Sequence, residues 1–271
     1  TPMDGFAFAG INVVDDRLDR LRRGLKGRAD VRSTSAKWAW VEYVLAQGGA
    51  PEGEALLGVV VLGFWPSFFR SLRAQDLAHT LHGFTASGWL VGLVLQAWLI
   101  DRGERAWHCR VAQVMIAMAV AMVVTSIPMM ESILRGGMAN PGFRPLARML
   151  VVYDITALVL FTALLSVALA NVRRAAIHRR ALGATAMLAI PPALARFLSG
   201  SLVGLPFMTG LHASFWLGNA IMLWLIVRDR RDGVRDVVWP VVLGCMIALE
   251  LYMGPVSRTA WWGAFTDAMA R

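Results

Sequence analysis

From Leu81 to Ile100 the chain carries no Asp, Glu, Lys or Arg. Coiled as a helix, a run of roughly 20 residues rises about 30 Å, the thickness of a bilayer's hydrocarbon core. Six further apolar runs cover about 55–69, 111–130, 149–170, 181–199, 211–227 and 237–253. Backbone crossing lipid has to satisfy its own hydrogen bonds, and single runs of this length do so as helices. The expected fold is therefore all-α: a polytopic transmembrane helical bundle of about seven helices over 55–271, set in the lipid bilayer. The first run is short and carries Pro66. The fifth carries Pro191-Pro192, which should kink it and free backbone carbonyls. Gly88-x-x-x-Gly92 offers a close-packing face on the second.

The net charge of +9 does not read as a nucleic-acid surface. Residues 1–54 hold eight basic and eight acidic side chains and are neutral. The excess lies in 55–271, where 19 Arg stand against 10 acids, mostly between apolar runs. That is the flanking charge of a multi-pass protein, so no nucleic-acid partner is expected. The shift in composition marks 1–54 as a separate soluble, partly helical segment. Asp15 and Asp16 can cap one helix there, and Ser35 a second that stops at Gly48-Gly49. With the N-terminus inside, inner segments hold 19 Lys and Arg and outer ones seven. The N-terminus is therefore expected on the cytoplasmic side.

The runs sort the five histidines. His79 and His82 begin the second run and His212 the sixth, all on the outer side. His108 and His178 precede the third and fifth on the inner side. Histidines at both faces are the pattern of a two-haem b-type cytochrome. The inner ones, however, lie three residues before their runs begin, at headgroup level. His108, Arg110, His178 and Arg180 are thus expected to form an interfacial turn touching lipid phosphates and carbonyls.

The outer side offers more. His79 and His82 share a helix face at i,i+3. At similar depth stand His212, Glu131, Asp154, Arg196 and Glu250, and ionisable groups inside spans pair with one another or line a cavity. The expectation is an outer pocket of His79, His82, Asp154, Arg196 and His212, with Asp154–Arg196 as an ion pair. Its occupant would be haem b, a divalent metal on His82 and His212, or a small molecule. The competing reading is a hydrogen-bonded cluster that fixes helix packing. Two other functions stay open. One is a small-solute transporter using Arg196 beside Pro191-Pro192. The other is a structural or accessory subunit.

Cys109 and Cys245 give no disulfide framework or zinc spacing. No phosphate loop or nucleophile elbow occurs, so no enzyme class is assigned. Trp65, Trp89, Trp107, Trp239, Trp261 and Trp262 lie mostly near run ends, as interface anchors do. Phe64–Phe69 reads as a kinked aromatic helix end or a pocket lining.

Two resemblances add to this. GFWPSFF (63–69), the HxxHG of 79–83 with Trp89 and Gln96, His108-x-Arg110, His178-Arg179-Arg180-Ala181-Leu182 and Pro191–Arg196 resemble an uncharacterised family of bacterial multi-pass membrane proteins. The likeness covers about 63–230 and implies an inner-membrane location but no activity. Where a basic residue is expected at 109, this chain has Cys109. The stretch Val31–Leu56 resembles the C-terminal part of cobalamin-dependent radical SAM proteins. The CxxxCxxC that holds that family's iron–sulfur cluster is absent, so that likeness implies no activity either.

Overall fold

The computed structural model describes residues 75–200, 203–231 and 233–271, together with Phe64. The segment 1–54 and the rest of the first apolar run lie outside the described residues. From residue 75 on, eight α-helices follow: α1 (Leu77–Asp101), α2 (Arg105–Ala139), α3 (Arg144–Ala170), α4 (Ala175–Met187), α5 (Ile190–Ser199), α6 (Phe207–Arg231), α7 (Val238–Ser257) and α8 (Ala260–Met269). The described residues contain no strand. Six spans are long and apolar enough to cross a membrane: α1, α2, α3, α4 with α5, α6 and α7. The protein is an all-α, multi-pass helical bundle.

Short connections make neighbours antiparallel. α1 turns into α2 through Gly103, whose φ of 76° favours a residue without a side chain. Its amide bonds to the Ile100 carbonyl, and the next amide to that of Leu99, closing the end of α1. Gly233, with φ 74°, does the same between α6 and α7. The alternation gives the bundle two ends. The His79 end holds the start of α1, the α2–α3 turn and the end of α7. The Asp101 end holds the α1–α2, α3–α4 and α6–α7 turns.

At 35 residues, α2 would be about 52 Å long and outreaches the hydrocarbon core. Pro128 sits inside it without ending it. The fifth apolar run is the one that breaks: α4 stops at Met187, and α5 starts at Ile190 with prolines in its first turn. Pro192 has no N–H for the carbonyl of Leu188 four residues back, so a continuous helix would leave that carbonyl bare.

Helices here do not associate by leaving water, because lipid is as apolar as they are; close packing and hydrogen bonds hold them. Gly88 and Gly92 let α1 approach α2, and a Cβ built on them would lie 2.5 Å from Met118 Sδ and 2.8 Å from Met115 Cε. Polar pairs continue the same seam: Thr85 with Thr125 at 3.3 Å, His82 with Ser126 at 3.3 Å, and Gln96 donating to the His108 carbonyl at 3.2 Å. Gly137 packs tighter against rigid atoms. A Cβ there would meet Ala147 Cβ at 2.9 Å and the Arg144 Cα at 3.2 Å. Gly137→Ala should therefore lower stability by about 1 kcal/mol or a little more, the low end for overpacking. Gly88→Ala should lose less, because a flexible methionine can swing away. Unfolding midpoints of the two variants in detergent check the order.

Trp89, Trp239 and Trp262, expected as interface anchors, are buried instead. Trp89 donates to Thr185 of α4 at 3.0 Å, and Trp262 donates to the Arg148 carbonyl at 3.0 Å. Trp107 and Trp261 are exposed as expected, and Trp65 lies outside the described residues. α8 was not anticipated. It lies against the start of α3, where Asp267 accepts from Arg144 and Arg148, both at 2.9 Å. Those two guanidinium groups hold the Asp267 carboxyl below the usual carboxylate range.

Candidate functional site

The three outer histidines take separate partners. Asp76, one residue before α1, caps it: one carboxylate oxygen accepts from the His79 amide at 2.7 Å and from its ring Nδ1 at 2.9 Å. The other oxygen accepts from the Ser132 hydroxyl of α2. His82 pairs with Ser126 of α2. His212, on α6, pairs with Glu250 of α7 at 3.0 Å. The two histidines expected to share a metal are thus each tied to a different helix. Among the described residues, no three His, Cys, Asp or Glu side chains are placed to hold a metal ion.

Partial burial alone would raise the pKa of Asp76. The His79 amide, the Ser132 hydroxyl and the His79 ring outweigh it and bring the carboxyl down to about 2, from an ordinary 3.8. A carboxyl with a lowered folded-state pKa stabilises above its unfolded value and loses that contribution as pH falls through the folded one. The Asp76 contribution is therefore complete above about pH 4 and disappears toward pH 2. The side chain is 45% exposed, so the effect is screened. Asp76→Asn should flatten the acid limb of an unfolding-midpoint profile between those two pH values and leave its slope at pH 6–8 unchanged.

Asp154 and Arg196 do not form the expected ion pair. Each lies in the electrostatic field of the other. Their charged atoms nevertheless stand more than 4.0 Å apart, since they form no ion pair at that limit. Among the described residues, Asp154 has no hydrogen-bond partner. Arg196 donates through Nη1 to the Pro192 carbonyl at 2.9 Å, and its guanidinium lies 4.8 Å from the centre of the Phe64 ring. Both residues are only partly buried.

The broken helix is what positions them. Tyr153, next to Asp154, donates its hydroxyl to the Leu188 carbonyl that Pro192 leaves bare. The ring is buried and stacks edge-on against Phe215 of α6 at 6.0 Å. Ser214 of α6 reaches the Pro191 carbonyl at 3.1 Å. Three side chains from α3, α5 and α6 thus fasten the carbonyls at the break. One turn further along α3, Thr156 meets Tyr252 of α7 at 2.6 Å. The break is a fixed element, with Asp154 next to Tyr153 in the chain and Arg196 bonded to its Pro192 carbonyl.

The Asp101 end differs from expectation. Arg180 does not face lipid headgroups: it is 2% exposed. Its Nε donates to Asp229 at 3.1 Å and stands 3.8 Å from Asp236. Asp236 also accepts from the Val238 amide at 2.6 Å, so one ion cluster ties α4 to the α6–α7 turn. A cleft of about 620 Å³ beside it is lined by Asp229, Arg230, Arg235, Asp236 and Trp239, among others. His178 shares its Nδ1 with the Ala168 carbonyl at 2.8 Å. Among the described residues, the buried Nδ1 of His108 has no hydrogen-bond partner. Arg110 is exposed and lies over Trp107, 5.1 Å from its ring centre.

Sequence reading missed Asp76, Ser126, Ser132, Tyr153, Asp229 and Asp236. An Asp just before an apolar run, with His three residues on, is a readable capping signal for Asp76. The others have no local signal, because their partners are 35 to 56 residues away. Comparison with protein-family models, with curated proteins and with solved structures gave no match.

Proposed function

We propose that this chain is a bacterial inner-membrane protein that binds a small polar molecule within its bundle, between Asp154 and Arg196. One observation carries the reading: Asp154 and Arg196 both lie inside candidate spans and form no ion pair with each other. Charges in a bundle are costly unless they neutralise one another or meet a ligand or water-filled cavity. These two residues are only partly buried, they do not neutralise one another directly, and the fixed backbone of the break lies beside them. The bacterial inner-membrane setting rests on the sequence resemblance. Arginine counts put the Asp101 end in the cytoplasm, with 11 in its flanking segments against seven at the other end.

Transport is the second reading, favoured by the α4–α5 break. Discontinuous helices at mid-bundle line the substrate sites of many transporters. A haem or metal role draws less support, because His82 and His212 each already have a polar partner.

The test is thermal stabilisation of the purified protein by a panel of amino acids, small organic acids and small amines. We expect at least one class to raise the unfolding midpoint of the wild type and to fail with Arg196→Gln. No stabilisation by any class, or equal stabilisation of the variant, would remove the proposal. A Soret band in the same preparation would return the reading to haem.

A further inference from the structure

We infer that the cleft between α6 and α7 holds a phosphate group, carried by an acidic phospholipid of the adjoining leaflet. This site is separate from Asp154 and Arg196 and does not depend on them. The cleft measures about 620 Å³, and Asp229, Arg230, Arg235, Asp236 and Trp239 stand in its walls. Its two carboxylates are already answered. Asp229 accepts from Arg180 at 3.1 Å and lies 3.8 Å from Arg228. Asp236 lies 3.8 Å from Arg180 and accepts from the Val238 amide at 2.6 Å. Arg230 and Arg235 are different. Both are exposed, and among the described residues neither forms an ion pair.

The balance of charge favours an anion. Across residues 228–236 together with Arg180, five arginines stand against three aspartates. Trp239 and Pro240, in the first turn of α7, line the cleft, so the positive end of a 20-residue helix dipole adds to that field. Trp239 is 1% exposed, and its Nε1 has no hydrogen-bond partner among the described residues. The wall thus contains a donor that the described protein atoms leave unsatisfied. Arginine presents a planar fork of donors that matches phosphate oxygens. Position selects lipid as the source of the phosphate. The cleft lies where α6 ends and α7 begins, the level at which spans meet headgroups. Val237 and Val241, one turn apart there, are 73% and 60% exposed. Apolar side chains next to guanidinium groups suit a molecule whose acyl chains adjoin its phosphate.

The experiment adds lipid to the purified full chain in detergent and reads the unfolding midpoint. Phosphatidylglycerol is compared with phosphatidylcholine of the same acyl chains, which has no net charge, and with soluble glycerol phosphate. Phosphatidylglycerol should stabilise saturably, at concentrations roughly tenfold or more below the other two, since each basic side chain near an anionic headgroup contributes a severalfold factor. The double variant Arg230→Gln, Arg235→Gln should lose that advantage. Arg110→Gln, which removes an exposed arginine at the start of α2 on the same end, should keep it. Equal effects of the two lipids on the wild type would overturn the site. So would an undiminished advantage in the double variant, or an equal loss with Arg110→Gln. If glycerol phosphate matches phosphatidylglycerol, the phosphate site stands and lipid is the wrong source. Both replaced arginines are exposed, so the lipid-free midpoint of the double variant should match the wild type. If it does not, Arg235→Gln alone carries the comparison.

Discussion

Arg180→Met should destabilise the protein by roughly 3–5 kcal/mol, the cost of leaving a buried ion-pair partner uncompensated. Arg180 is 2% exposed and Asp229 4%, so water cannot take over when the guanidinium is removed. Methionine keeps the length and apolar stem of the side chain, so the loss reports charge rather than volume. Arg180→Lys should also be poorly tolerated, because a point ammonium cannot reproduce the geometry by which Nε faces both Asp229 and Asp236. The double variant Arg180→Met, Asp229→Asn should recover a large part of the loss. Replacing both members of a buried pair removes the orphaned charge along with the bond. Unfolding midpoints of the three variants in one detergent give the coupling directly. A wild-type midpoint for Arg180→Met would show that the cluster does not hold α4 to the α6–α7 turn.

That cluster also shows what the sequence could and could not tell. The spans were legible because lipid imposes length and polarity on each run separately, with no need of the neighbours. The break was legible too, since Pro191-Pro192 cannot continue a helix. Arg180 escapes the sequence because it sits where an apolar run begins, and run position alone suggests headgroup depth. Its counter-charges lie on α6 and the α6–α7 turn, and no spacing in the chain announces that. The same error grouped His79, His82 and His212. Similar depth was read as proximity, but depth fixes only one coordinate. Position around the bundle depends on which helices pack, and α1 packs on α2 while α6 packs on α5 and α7. The break reaches α3 because α3 packs on α4, so that Tyr153 meets the Leu188 carbonyl. The Trp89 anchor failed for the same reason: mid-span Trp89 faces α4, where Thr185 accepts its N–H.

The break itself gives the other large effect. Tyr153→Ala should cost roughly 3–5 kcal/mol, the range for truncating a buried aromatic. Two contributions make up that figure, and Tyr153→Phe separates them. Phenylalanine keeps the ring against Phe215 and removes only the hydroxyl, leaving the Leu188 carbonyl bare for about 1–3 kcal/mol. That carbonyl cannot recover its helical partner, because residue 192 is a proline. Replacing both Pro191 and Pro192 by Ala in the Tyr153→Phe background restores the missing N–H groups and should return part of the stability by letting α4 run into α5. If the candidate site depends on the break, that restored protein should be stable and yet bind the probe ligand weakly, since Arg196 would be carried off its present position by the rewound turn. Stability and binding would then move in opposite directions in one variant. A structural role for the break alone would move them together.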